Sequence, residues 1–309
     1  MSSLIHLTPL PFSSLPSHPV LDSSPSRPQL HCFLKSALTE ANSFLTETIP
    51  QTFQVDPKPR SSPPATAKVQ LSTRAIPITS SGNHPKSQNN EFWVCRRSVH
   101  RNAAEEGTAS WEEFRKGLRE NHSENEMEYT PSVTAVEKLL QWPSCEEIEG
   151  GWTDVDMHED LLHCCPAAYR VWTVTIITHT FKPTVLISSR TFISLVISAN
   201  LPHSTGFMTV QIPLRHRPAD SIPIKLREKI DSSIPRDTII AAYASLEQVV
   251  PLPTGELEWT MATTSDAGGL IPGWVQRNWT MGGVPRAVVA DVGLFIGWTG
   301  NNRGNTDIP

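Results

Sequence analysis

The chain has 309 residues, a formal net charge of −5 and 38% hydrophobic residues. That balance offers no basic field for phosphates and disfavours nucleic-acid binding. No stretch approaches the ~20 uninterrupted apolar residues of a membrane-spanning helix, so a soluble protein is expected, and five cysteines with no regular spacing point to reduced thiols in the cytoplasm.

Residues 1–28 and 56–90 are dense in Pro, Ser, Thr and Asn and poor in large apolar residues. Such segments bury too little surface to offset the entropy of ordering, and residues 1–90 are expected to be a largely disordered, flexible region. Between the two, Leu30, Phe33, Leu34, Leu38, Ala41, Phe44 and Leu45 recur at helical spacing, predicting one amphipathic helix over 29–48 that stops near Pro50. Docking of this helix on the folded domain is the commoner outcome; partner recruitment is the alternative.

A folded domain is expected over 91–300, followed by a polar tail at 301–309. It opens with a strand at Phe92-Trp93-Val94-Cys95. Ser110 and Glu113 have capping-box spacing, with Trp111, Phe114 and Leu118 on one helical face. A two-residue apolar period then predicts strands around Trp172, Val174 and Ile176; Ile193, Leu195 and Ile197; Met208, Val210 and Ile212; Ile240 to Leu246; and Leu257, Trp259 and Met261. Short strands in series predict an antiparallel sheet. After Gly268-Gly269 the period changes, and Val284, Val288, Val292, Phe295 and Trp298 form one apolar stripe on a long terminal helix. The predicted class is α+β: a curved antiparallel sheet closed by that helix, a helix-grip fold.

The segment Gly269-Leu270-Ile271-Pro272-Gly273-Trp274-Val275-Gln276, with Val284-Pro285-Arg286-Ala287-Val288, resembles the end of StAR-related lipid-transfer (START) domains. The pieces Phe92 to His100, Tyr129 to Val133, Val210-Gln211-Ile212-Pro213 and Glu258 to Thr263 resemble an uncharacterised fungal START-like family. The resemblance covers about two thirds of the chain. It implies a cavity for a lipid or other apolar molecule and does not name the occupant. From about Phe181 to Ser204 the chain is longer than expected between paired strands, which suggests a local insertion.

On such a fold the lining candidates are Trp172, Val174, Ile176, Trp259, Met261, Val288, Val292 and Phe295; in a filled domain the same residues would be solid core. Gly269, Gly282 and Gly283, with Gly268, are candidate lid hinges or plain turn residues. Trp274 and Trp279 sit at the expected mouth, either meeting membrane headgroups or lipid, or buried structurally. The expected partner is an apolar small molecule, with transient membrane-surface contact and a monomeric state.

No cofactor, metal or catalytic residue is expected. His158, His163, Cys164 and Cys165 lack the spacing of a zinc site, and the five cysteines fit reduced thiols better than a disulfide framework. The cluster Glu146, Glu147 and Glu149 reads as a solvated turn. No Gly-x-Ser-x-Gly elbow or phosphate loop is present. Because related helix-grip proteins include polyketide cyclases, an enzymatic alternative would draw on His179 or Asp266, although Asp266 is better placed to cap a turn. The third reading is a filled scaffold domain for protein interaction.

Overall fold

The computed structural model describes residues 3–21, 26–77, 90–155, 171–179, 190–202, 206–215, 222–235, 238–269, 273–280 and 283–303. The first half holds β1 (Leu10–Pro11), α1 (Leu30–Ser43), α2 (Ile49–Thr52), β2 (Gln54–Val55), β3 (Arg60–Ser62), β4 (Ala65–Pro77), β5 (Asn90–His100), α3 (Trp111–Phe114), α4 (His122–Tyr129), β6 (Val133–Pro143), β7 (Cys145–Ile148) and β8 (Trp152–Val155). The second half holds β9 (Val171–His179), β10 (Arg190–Asn200), β11 (Phe207–Arg215), α5 (Ile224–Ser233), β12 (Ile239–Ile240), β13 (Ala242–Pro251), β14 (Leu257–Asp266), α6 (Gly273–Gln276) and α7 (Val284–Arg303).

The strands join in one sheet. Its long run is antiparallel throughout, in the order β4-β5-β14-β13-β11-β10-β9-β6. The expected plan of an antiparallel sheet with a long C-terminal helix is therefore present. The predicted strands at residues 172, 193, 208, 242 and 257 all form, because each alternates apolar and polar side chains with the two-residue period of a pleated strand.

The sheet separates two apolar clusters. On one side, Ile193, Leu195, Ile197, Met208, Val210, Ile212, Leu246 and Ala262 meet α1 and α5 through Phe33, Leu34, Leu38, Leu226 and Ile230. On the other, Trp259, Val249, Leu257 and Phe207 meet Phe114 and Leu118 and the α7 residues Val288, Val289, Val292, Phe295 and Ile296. Burying each of those helix side chains contributes about 1.5–3 kcal/mol.

The sheet also takes in strands that precede the expected domain start at residue 91. β4 pairs with β5 over nine residues, from Val69 opposite Ser98 to Pro77 opposite Asn90, so the fold begins before the proposed boundary. Only Val69, Leu71 and Ile76 are large and apolar in β4. That sparse pattern hides a strand whose stability comes from ladder hydrogen bonds and one buried face. Within the first 28 residues, Ile5, Phe12, Leu15 and Leu21 are buried, and β1 lies parallel to β11.

The helix expected over 29–48 forms and docks through Phe33, Leu34, Ala37, Leu38 and Ala41. It passes through a π-helical turn at Phe44–Thr48 and ends at Thr52, two residues beyond Pro50. Pro50 follows closely on the π-helical turn, at the start of the last helical segment. Ser110 and Glu113 make the reciprocal capping box. α7 runs into the expected tail, where Arg303 donates to Glu113 and to the Glu105 and Thr108 carbonyls. Much of the suspected insertion at 181–204 is β10 itself, registered on β9 from Arg190 opposite His179.

Candidate functional site between the sheet and the terminal helix

Register defines the sheet face beneath α7. One row across it reads Leu71, Arg96, Met261, Glu247, Thr209 and Ser198, strand by strand. The next reads Thr73, Val94, Thr263, Ser245, Gln211 and Val196. Sheet faces that pack on helices are ordinarily apolar, and this one alternates apolar with charged and hydroxylic residues.

At its centre Glu247 holds three partners. Arg96 donates from Nη2 at 3.2 Å and Trp259 from Nε1 at 2.8 Å, both to Oε1. His122 Nδ1, which donates to the Leu118 carbonyl at 2.8 Å, lies 3.8 Å from Oε2. The Arg96 guanidinium also lies 3.9 Å from the centre of the Trp259 ring, a cation–π contact. Arg96 is 1% exposed, and its Nε and Nη1 have no hydrogen-bond partner. Gln211 accepts from Ser245 while its Nε2 is left without a partner. An unsatisfied buried donor costs about 1–3 kcal/mol, so the polarity of this face is held against a penalty.

Two further carboxyls face the same region from the helices, Glu126 on α4 and Asp291 on α7. Glu126 is pushed up to about 7, first by burial, with His122 opposing and Asp291 and Glu247 adding repulsion. Asp291 is pushed up to about 6 by burial, with Arg96 opposing and Glu247 repelling. Burial also raises the Tyr129 and Tyr243 phenols, and the same carboxylates add to it. His100, bonded through Nε2 to Ser98 Oγ at 2.8 Å, is pushed down to about 4 by burial and then by Arg96. Glu126, Tyr243 and Asp291 lie deep within the protein, yet their side chains are half-buried rather than covered.

The predicted site residues divide. Trp259, Val288, Val292 and Phe295 are buried together beneath α7, and half-buried Met261 sits in register between Arg96 and Glu247. Trp172, Val174 and Ile176 lie on β9. Their side chains lie outside the described residues, but register sets Trp172 opposite Trp142, Val174 opposite Leu195 and Ile176 opposite Ile193. Trp142, Leu195 and Ile193 belong to the cluster on the α1 side. The alternate set Thr173, Thr175 and Ile177 registers with the α7-side positions Val196, Ser194 and Phe192.

Gly269 has φ +65, and a Cβ there would lie 2.8 Å from the Ile239 side chain; Gly283 approaches the Gln276 carbonyl so closely that a Cβ would be 2.3 Å from its oxygen. Both serve tight turns in packed surroundings. Gly282 and the side chain of Trp274 lie outside the described residues. Trp279 packs against the α7 cluster and lies under the Arg60 guanidinium at 4.7 Å. Asp266 accepts from the Gly268 N–H at 2.9 Å, the turn-capping role. The side chain of His179, and all of His158, His163, Cys164 and Cys165, lie outside the described residues. Among the described residues no group of His, Cys, Asp and Glu is arranged to hold a metal ion.

The outer side of α7 carries an open groove of about 580 Å3, bounded by Pro63, Pro64, Tyr129, Trp279 and Trp298. Ser62 crosses one end of it, donating to the Val289 carbonyl and accepting from the Gly293 N–H at 2.8 Å. The groove lies along a seam between a turn and a helix, and Tyr129 on its edge also senses the charges of Arg96 and Glu247.

Sequence reasoning missed Arg96, His122, Glu126, Glu247 and Asp291. The available signal was charge at inward positions of otherwise apolar periods, as with Glu247 between Leu246 and Val249 and Asp291 within the α7 stripe.

Among solved structures, the crystal structure of human STARD10 matches with a TM-score of 0.52 at 11% identity, covering 86% of this chain and 82% of that one. Human StAR-related lipid transfer protein 5 matches with a TM-score of 0.50 at 12% identity, covering 85% and 97% respectively. At these identities the likeness shows the fold, which is START-like. A search of curated proteins gives no match. The family model described as protein of unknown function (DUF3074) matches residues 93–299, more than half of the chain, and the protein belongs to that family.

Proposed function

We propose that this protein binds a lipid or another hydrophobic small molecule between its sheet and α7, as a carrier or sensor that performs no chemistry on it. The observation that carries this reading is the set of buried donors without partners on the α7 face, Arg96 Nε and Nη1 and Gln211 Nε2. Buried polar groups are ordinarily satisfied, and an occupant of this face would satisfy them. The START-like fold supports it, since one solved relative is titled a lipid transfer protein. Affinity would come from apolar area removed from water, about 25 cal/mol per Å2. The protein would act in the cytoplasm as a monomer, with transient membrane contact during exchange. No helix among the described residues is long and apolar enough to cross a membrane.

Native mass spectrometry of the full chain from a eukaryotic host, followed by extraction of any bound mass, tests the proposal. A stoichiometric lipid-sized adduct supports it; a reproducibly empty protein that also takes up nothing from a lipid panel favours the filled scaffold. The cyclase-like alternative has one observation in its favour, the raised Glu126 and Asp291 carboxyls in an enclosed region, where a general acid would be kept. An adduct recovered chemically unchanged after incubation argues for the binding module.

A further inference from the structure

The terminal helix is entered midway by a side chain from another element. In a regular α-helix the Gly293 N–H donates straight to the Val289 carbonyl, one turn earlier. Here the Ser62 hydroxyl bridges those two groups. It accepts from the Gly293 N–H at 2.8 Å and donates to the Val289 carbonyl, with the Ala290 carbonyl at 3.5 Å. Ser62 is 4% exposed and ends β3, in the hairpin that leads to β4. A Cβ at residue 293 would lie 2.4 Å from the Pro63 carbonyl oxygen, so only glycine lets the hairpin come this close. A side chain that enters the i→i−4 ladder is one of the few recognised causes of a bend in a helix.

The two parts of α7 on either side of that point are held by different means. In the rear part, the Phe295 ring lies 5.1 Å from Phe114, 5.2 Å from Trp259 and 5.7 Å from Tyr129, centre to centre. Trp298 donates from Nε1 to Glu128 at 3.0 Å, and Arg303 donates to Glu113 and to the Glu105 and Thr108 carbonyls. The front part is attached through Val284, Val288, Val289 and Val292. Among the described residues, no side chain from 284 to 292 makes a hydrogen bond or an ion pair. We propose that α7 opens in two pieces, with residues 284–292 lifting from the sheet about the Ser62–Gly293 contact while 293–303 stay in place. Resting on the reading that a small molecule is held beneath α7, the front piece is its gate and the β3–β4 hairpin is the pin on which the gate turns. Gly283, ahead of the helix, is too tightly packed on the Gln276 carbonyl to serve as that pivot. Ser62 precedes residues 93–299, which the family model matches, so the pivot comes from the N-terminal part of the chain.

Hydrogen exchange on the full-length protein, resolved along α7, tests the pivot. The amides of residues 288–292 are expected to exchange at least about tenfold faster than those of 294–300, with a step at the Ser62 contact. Arg303→Met should raise exchange in the rear piece and shrink that step. Uniform protection along α7, or a smooth gradient from either end, overturns the pivot, and the unsubstituted protein decides this whether or not a variant folds. Stopped-flow mixing with a neutral apolar fluorescent dye tests the gate. Ser62→Ala loosens the pivot and should speed uptake and release alike, by about fivefold each, while Kd stays within about twofold. Unchanged rates, or a change in Kd that comes from release alone, overturn the gate. Failure of the dye to bind overturns the binding reading and the gate with it, and the exchange step then decides the pivot by itself.

Discussion

The two faces of the sheet are built on different rules. The face toward α1 and α5 is mainly apolar: Ile193, Leu195, Ile197, Met208, Val210, Ile212, Leu246 and Ala262 close it with the helices, and its buried polar residues, such as Thr191 and Thr264, are small hydroxyls near its edges. The face toward α7 interleaves Trp259, Val249 and Phe295 with Arg96, Glu247, Thr209, Gln211 and Ser245, and receives Glu126 and Asp291 from above. Close packing alone explains the first face. A filled core has no use for the second, because each buried polar group there must be offset by a partner and several have none. The contrast assigns stability to one side of the sheet and recognition to the other.

The largest expected effect comes from breaking the charge pair on the α7 side. Arg96→Met should cost about 3–5 kcal/mol in urea unfolding by leaving Glu247 buried without its cation, and Arg96→Met/Glu247→Leu should recover most of that loss. If the double variant is as unstable as the single one, the pair is not what holds this face. On the opposite face, Leu38→Ala opens a hole beneath α1 and should cost about 2–5 kcal/mol. A cost near zero would mean that the N-terminal segment does not share the core, and the comparison of the two faces would fail.

A pH comparison sharpens the distinction. Glu126 titrates near 7 in the folded chain, above an ordinary glutamate near 4.5, so the folded state holds its proton more tightly than the unfolded state. Its contribution to stability is then full below about 4.5 and is lost as pH rises toward 7. His100, pushed down to about 4, acts in the opposite sense below its ordinary 6.5, so the sum is not read directly. The difference between the protein and Glu126→Gln isolates one group. The glutamine variant should gain relative stability between pH 5 and pH 8, by up to a few kcal/mol at about 1.4 kcal/mol per unit of separation. A difference that does not change with pH would place Glu126 in ordinary solvent contact.

The smallest effect concerns how α7 is held. Ser62→Ala removes the bonds to the Val289 carbonyl and the Gly293 N–H and should cost about 1 kcal/mol, with faster amide exchange confined to the middle of α7.

The fold was legible wherever a period was complete: β9, β10, β11, β13, β14 and the α7 stripe follow directly from alternation or helical spacing. β4 was not, because a strand with three large apolar residues among thirteen resembles a polar linker until a neighbour supplies its hydrogen bonds. The site was only half legible. Periodicity identifies which residues share a face and cannot say which face meets α7. The charged residues of the site were invisible for a related reason. A lone Glu or Asp in a sequence looks solvated, and only the packing of four distant segments brings Arg96, Glu126, Glu247 and Asp291 together.

Neighbouring residues of β14 allow the most direct test of the claim that only one face has room. Met261 lies on the α7 face between Arg96 and Glu247, and Ala262 lies fully buried on the α1 face. Met261→Trp should stay folded, with Tm changed by no more than about 5 °C, and lose any bound adduct in native mass spectrometry, whereas Ala262→Trp should unfold the protein. If Met261→Trp unfolds it as readily as Ala262→Trp does, both faces are filled and the binding account is wrong.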